Sequence, residues 1–121
     1  MTPTIDLLCS HRSIRAFTDQ PVSEAQREAI INAAQSASTS SFLQCSSIIR
    51  ITDKALRDKL VTLTGGQTWV ADAPEFWVFC ADFNRHLQIC PDEQLGRAEQ
   101  LLLGCVDTAP RGQNATVAAE P

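Results

Sequence analysis

The sequence predicts an α+β fold, with helices packed around a partial central β-sheet, and three observations carry that expectation. Apolar residues recur every three to four positions in several segments, the mark of amphipathic helices. Two short runs are β-branched or continuously apolar, as strands are. The order helix, helix, strand, helix, strand, helix supplies both kinds of layer, but so few strands are less than a sheet usually contains. The sheet therefore reads as incomplete. No internal repeat and no Pro/Gly/Ser-rich linker divides the chain, so residues 1–121 read as a single domain.

Each element has a local reason. Ile5, Leu8 and Cys9 share a helical face over Thr4 to Ser10, with Thr4 as N-cap and Asp6 in the first turn. Ser23-Glu24-Ala25-Gln26 is a capping-box pattern that opens a second helix, with Ala25, Ala29, Ile30, Ala33 and Ala37 on one face. The hydroxyl-rich run from Ser36 to Ser41 ends it, because short hydroxyl side chains compete for backbone bonds, and reads as a linker or turn. Ile48, Ile49 and Ile51 make Ser46 to Thr52 a buried strand, and Asp53 can cap the helix from Lys54 to Thr64. Leu56, Leu60 and Leu63 form that helix's stripe, and Gly65-Gly66 stops it. After Ala73-Pro74, the unbroken apolar run Phe76 to Ala81 suits a central strand covered on both faces. From Asp92 onward, Leu95, Ala98, Leu102, Cys105 and Ala109 form one helical stripe, which Pro110 is expected to interrupt.

Composition narrows the function classes. A chain of 121 residues, 44% hydrophobic and 20% charged, can bury about two-thirds of its unfolded surface and is too apolar for disorder. A net charge of −4 argues against broad nucleic-acid binding, which depends on cations that neutralise phosphates. The first residues lack the basic and apolar regions of a signal peptide, and no run is long enough to span a membrane, so a cytoplasmic protein is expected. Cys9, Cys45, Cys80, Cys90 and Cys105 form no Cys-x-x-Cys pair and read as reduced core residues rather than zinc ligands. Neither Cys9 nor Cys45 reads as a nucleophile, and His86 reads as a surface or helix-end residue.

The densest chemistry lies in His11-Arg12-Ser13-Ile14-Arg15, directly after the first helix. Two planar guanidinium forks and a hydroxyl match the oxygens of a phosphate. A solvated basic turn paired with an acid such as Asp19 explains the same residues equally well.

The wider pattern resembles the nitroreductase superfamily, and within it the branch of oxygen-insensitive NADPH nitroreductases and NADPH-flavin oxidoreductases. The matching runs are His11 to Arg15, Phe42-Leu43-Gln44, Ser47 to Asp53, Glu75 to Cys80 and Gln113-Asn114-Ala115. The resemblance covers nearly the whole chain and the amino-terminal half of the family. It implies an incomplete nitroreductase-like fold and an FMN-dependent oxidoreductase, passing electrons from NADPH or NADH to a nitroaromatic, quinone or flavin in a ping-pong cycle. It also implies FMN held at a homodimer interface. By the resemblance, His11, Arg12, Ser13, Ile14 and Arg15 hold the FMN phosphate and ribityl chain, and Thr39 supplies a hydroxyl where a serine is usual. Gln67 lies beside the flavin ring, and Ser41 and Phe42 line the face where nicotinamide and acceptor stack. The hydride chemistry belongs to the cofactor, so no protein residue is assigned as catalytic.

The chain departs from the family over about residues 110–121, where Pro110-Arg111-Gly112 replaces small and apolar residues of an uninterrupted helix. A proline, a charge and a glycine weaken helix formation and any dry interface there, which counts against the dimer. The alternative expectation is a truncated, noncatalytic remnant or a partner-dependent fragment of such an enzyme.

Overall fold

The two strands pair with each other. In a computed structural model that describes residues 2–92 and 96–120, β1 (Ser46–Arg50) runs antiparallel to β2 (Trp77–Ala81), with Ile48 opposite Phe79 and Arg50 opposite Trp77. Among the described residues β2 has no second neighbour. Its residues are half-buried rather than covered on both faces, and Ala81 is exposed. The continuous apolar run thus makes an edge strand here, not the expected central one.

Helices account for the rest. α1 (Pro3–Ser10) begins two residues earlier than the sequence suggests, with Thr2 rather than Thr4 at the N-cap and Pro3 in the first turn, where its missing N–H leaves nothing unsatisfied. α2 (Glu24–Gln35) carries the full capping box, Ser23 with Gln26, and buries Ala34 completely. The run after it is no plain linker, because Ser40–Phe42 wind into a single 3-10 turn. α3 (Lys54–Leu63) is capped by Asp53 as expected, and Gly65 and Gly66 end it at φ of 79° and 83°, a conformation open to glycine. The short helices α4 (Trp69–Asp72) and α5 (Asn84–Ile89) flank β2.

The largest departures concern α6 (Arg97–Ala119). It starts after the turn containing Asp92, and Leu95 lies outside the described residues. It also runs straight through Pro110, although a mid-helix proline costs roughly 3 kcal/mol. Anchorage on both sides offsets that cost: Gly104 and Asp107 before the proline, and Arg111 and Ala115 after it, are buried. These four form the inward stripe, and α6 packs through it against α2 and β2. The apolar stripe read from the sequence, with Ala98, Leu102, Cys105 and Ala109, faces outward instead. Gly104 shows why, since a Cβ there would lie 2.7 Å from the Ala81 Cβ, so only glycine lets β2 approach this closely.

Arg111 therefore turns into the chain rather than toward the outer face of α6. The cysteines also need correction. All are free, but only Cys45 is buried, Cys80 is half-buried, and Cys9, Cys90 and Cys105 are exposed. No described helix is long and apolar enough to cross a membrane.

One carboxylate ties the layers together. Glu75, just before β2, takes a two-pronged hydrogen bond from Arg50 at 2.7 and 2.8 Å, another from Arg27 of α2 at 3.2 Å, and one from the Trp77 indole at 2.9 Å. The Arg50 bond is the main reason its carboxyl titrates below the usual value, against the opposing effect of burial.

Candidate functional site

The predicted residues fall into two groups that differ in how they are fixed. The first is the segment from His11 to Arg15, which leaves α1 without regular structure and is exposed throughout. His11 Nδ1 pairs with Glu120 beyond the end of α6. Arg12 donates to the carbonyls of His11 at 2.7 Å and Ser10 at 3.3 Å. The Arg15 guanidinium lies 5.2 Å from the centre of the Trp69 ring, a cation–π geometry. Ser13 and Ile14 are open to solvent. The acid that sequence reasoning offered to this segment, Asp19, makes no ion pair with it among the described residues.

Trp69 explains how Gln67 comes into play. Gly65 and Gly66 turn the chain at the end of α3, and Gln67, exposed, follows them two residues before Trp69. Arg57 fixes this corner by donating to the carbonyls of Val70, at 3.0 Å, and Ala73, while its guanidinium lies 5.9 Å from the Phe76 ring centre. Through the Arg15–Trp69 contact the basic segment meets the start of α4, two residues after Gln67.

The second group is the segment from Thr39 to Cys45, and its backbone is strained. Ser41, Phe42 and Gln44 have φ of 49°, 57° and 55°, in the left-handed region that non-glycine residues rarely enter. Each such residue costs on the order of 1 kcal/mol or more, so the surroundings must impose the conformation. Asp107 does so from α6. It is 1% exposed, and its two carboxylate oxygens accept from the Ser40 amide at 3.0 and 3.1 Å. The Ser40 hydroxyl donates to the same carboxylate at 2.8 Å, and the Cys45 thiol lies 3.6 Å from it. Across the segment, His86 of α5 holds the Leu43 carbonyl at 2.6 Å, so its Nε2 carries the hydrogen. The Asp82 amide donates to the Cys45 carbonyl at 2.9 Å.

Burial drives the Asp107 carboxyl up, but the Ser40 bonds, the Cys45 thiol and the charge of Arg111 bring it below the usual carboxylate value. Burial, and then the Asp107 charge, push the Cys45 thiol up, which leaves it protonated and poorly nucleophilic. On this fixed backbone Phe42 is 81% exposed and Ser41 also faces solvent. Thr39 is half-buried, and its hydroxyl is enclosed without a hydrogen-bond partner among the described residues.

Among the described residues no hydrogen bond, ion pair or ring contact joins the first group to the second. An open cavity of about 750 Å³ between α2, β1 and Arg111 includes Phe42 but none of His11 to Arg15, Thr39, Ser41 or Gln67. Its size is a weaker guide to chemistry than the exposed guanidinium pair. Sequence reasoning missed Trp69, Asp107 and His86 as fixing residues. Asp107 left one trace, an acid four residues before Arg111 within an otherwise apolar helical run.

Helices around an antiparallel strand pair, with a basic segment stacked on the α3–α4 corner, define a class that the comparisons identify. Residues 8–117 match the Nitroreductase family, and the chain belongs to it. It is similar to the oxygen-insensitive NADPH nitroreductase of Salmonella typhimurium, 78% identical over 120 residues, covering 99% of this chain and 50% of that protein. The NADPH-flavin oxidoreductase of Vibrio harveyi is 46% identical over 99% of this chain and 50% of its own length. The solved structure of the Vibrio harveyi NADPH:FMN oxidoreductase complexed with NAD+ superposes with a TM-score of 0.93, at 46% identity, covering 96% of this chain and 50% of that one. Nitroreductase A of Vibrio parahaemolyticus superposes with a TM-score of 0.95, at 45% identity, covering 98% and 51%. The chain thus spans about half the length of the relatives it matches.

Proposed function

We propose that this chain carries part of the site of an FMN-dependent oxidoreductase that takes electrons from NADPH or NADH and passes them to a nitroaromatic, quinone or flavin acceptor. The observation that carries the reading is the basic segment itself. Arg12 and Arg15 stand exposed with Ser13 between them, and Arg15 lies over the ring of Trp69, two residues along the chain from Gln67. Guanidinium donors without a carboxylate partner among the described residues suit a phosphate dianion, and the Thr39 hydroxyl, enclosed and without a partner among them, suits a further polar group. The residues present therefore fit the phosphate end of FMN.

In this reading Arg12, Ser13 and Arg15 bind the phosphate, with His11 and Ile14 completing the segment around the ribityl chain. Gln67 orients the ring, and Ser41 and Phe42 form the face that nicotinamide and acceptor use in turn, a ping-pong order. FMN, when bound, supplies the hydride acceptor and donor that no side chain here provides. The protein's own work is to neutralise the phosphate, position the ring and offer Phe42 as a flat apolar surface.

A partner-dependent form is supported by the outer face of α6, where Leu101 and Leu102 are 70% and 64% exposed. Exposed apolar residues in such a row mark surfaces that associate, and a second copy of the chain is the partner we propose. The test is to purify the 121-residue chain with excess FMN and record flavin retention, molecular mass and NADPH oxidation with a nitrofuran. Retained flavin with turnover supports the oxidoreductase. A colourless monomer without turnover overturns it and leaves a noncatalytic remnant.

A further inference from the structure

We propose that Asp107 is the positioning residue that holds residues 39–45 in their left-handed conformation and so sets the face presented by Ser41 and Phe42. That this face receives the nicotinamide or acceptor rests on the oxidoreductase reading above; the positioning itself does not.

The assignment comes from where the carboxylate spends its bonds. Asp107 is 1% exposed in the middle of α6, yet its hydrogen-bond partners are the Ser40 amide and hydroxyl, 67 residues away, and the Cys45 thiol, 62 residues away. A buried carboxylate is tolerated only when its lone pairs are filled, and here one short segment fills them from both of its ends. Between those ends lie the three residues at positive φ, none of them glycine. Without the carboxylate, Ser40 would lose the partner of its amide and of its hydroxyl together, and only the turn's own bonds, from the Leu43 amide to the Ser40 carbonyl at 2.9 Å and from the Phe42 amide to the Thr39 carbonyl at 3.3 Å, would oppose relaxation at that end. His86, bonded to the Leu43 carbonyl at 2.6 Å, guards the other side and explains why the segment bends around two fixed points. Arg111, buried one helical turn from Asp107, supplies the compensating positive charge.

The test is amide hydrogen exchange on the isotope-labelled 121-residue chain, comparing the unsubstituted protein with Asp107→Asn. An asparagine keeps the shape but cannot accept from the Ser40 amide and the Cys45 thiol at once without turning a donor toward one of them. Exchange at Ser40 and Leu43 is expected to quicken by about tenfold or more relative to Ala33 and Ala34 of α2, a selective loss that general destabilisation does not produce. Exchange at Ser40 that is unchanged, or that quickens only in step with α2, overturns the proposal. Should Asp107→Asn fail to fold, Ser40→Ala removes only the hydroxyl bond and carries the same comparison, with a smaller selective increase expected and its absence counting against the assignment.

In a chain that turns over, Asp107→Asn is expected to raise KM for a nitrofuran about tenfold, a larger factor than its effect on FMN affinity, to which residues 39–45 contribute Thr39 alone. Loss of FMN affinity at unchanged KM contradicts the link to the acceptor face. A chain that never turns over sinks the oxidoreductase reading, while the exchange result still decides the role of Asp107.

Discussion

The segments 11–15, basic, and 39–45, hydroxyl-rich and apolar, bring their residues to the surface by opposite means. Residues 11–15 are exposed along their whole length and are held by one ring contact, one ion pair and bonds to their own backbone. Residues 39–45 are pinned to α6 and α5 through Asp107 and His86 in a conformation they would not adopt alone. In the function proposed above the basic segment is the clamp for the phosphate, and the strained one a wall built in advance. A site assembled from both has its shape set by one segment and its charge supplied by the other.

The contrast breaks most readily at the wall. Asp107→Ala removes a buried carboxylate that fills several bonds and leaves Arg111 uncompensated, so a loss of about 3 kcal/mol is expected in urea unfolding. A loss below about 1 kcal/mol would show that the segment holds its conformation without α6. The clamp should behave differently. Arg15→Ala is expected to weaken FMN binding about tenfold in a fluorescence titration, yet to lower unfolding stability by no more than about 1 kcal/mol, the scale of one exposed cation–π contact. Unchanged affinity would remove Arg15 from the site.

How much of this was legible follows from the range of the interactions. The Ser23 capping box, the Asp53 cap and the Gly65-Gly66 stop are written within a few residues of one another, and each forms as read, whereas the strand at Ile48-Ile49 forms but ends at Arg50 rather than Thr52 and is not buried, since Ile49 is exposed. The inward face of α6 is not local. Leucines mark its outer side, while the packed side carries Gly104, Asp107, Arg111 and Ala115, chosen by the approach of β2 and the needs of Ser40. Pro110 misled for the same reason, since tertiary packing on both sides outweighs one missing donor. α4 and α5 are too short for periodicity to reveal. For the candidate site, residue chemistry singled out His11 to Arg15, but the Trp69 stack and the Asp107 pin join residues far apart in sequence, and no local pattern announces them.

Acid sharpens the comparison. Asp107 and Glu75 both titrate below their usual values in the folded chain. Their contribution is therefore present above the unfolded carboxylate value, near pH 4, and is lost as pH falls through the lower folded values. Unfolding followed against pH should show a decline below about pH 4, and Glu75→Gln should lessen its slope while removing about 1 kcal/mol at neutral pH. A slope unaffected by the substitution would exclude Glu75 as a contributor. Smallest of all, Ser23→Ala should lower stability by about 1 kcal/mol through loss of the α2 cap and leave flavin affinity unaltered. A change in flavin binding there would mean that the two segments are coupled through α2.

The most direct test of the account is a paired titration of the 121-residue chain with FMN and with riboflavin, which lacks the phosphate. The account predicts that FMN binds and riboflavin binds at least tenfold more weakly, with the difference lost in Arg15→Ala. Equal affinity for the two flavins, or no binding of FMN, would contradict a phosphate clamp at His11 to Arg15.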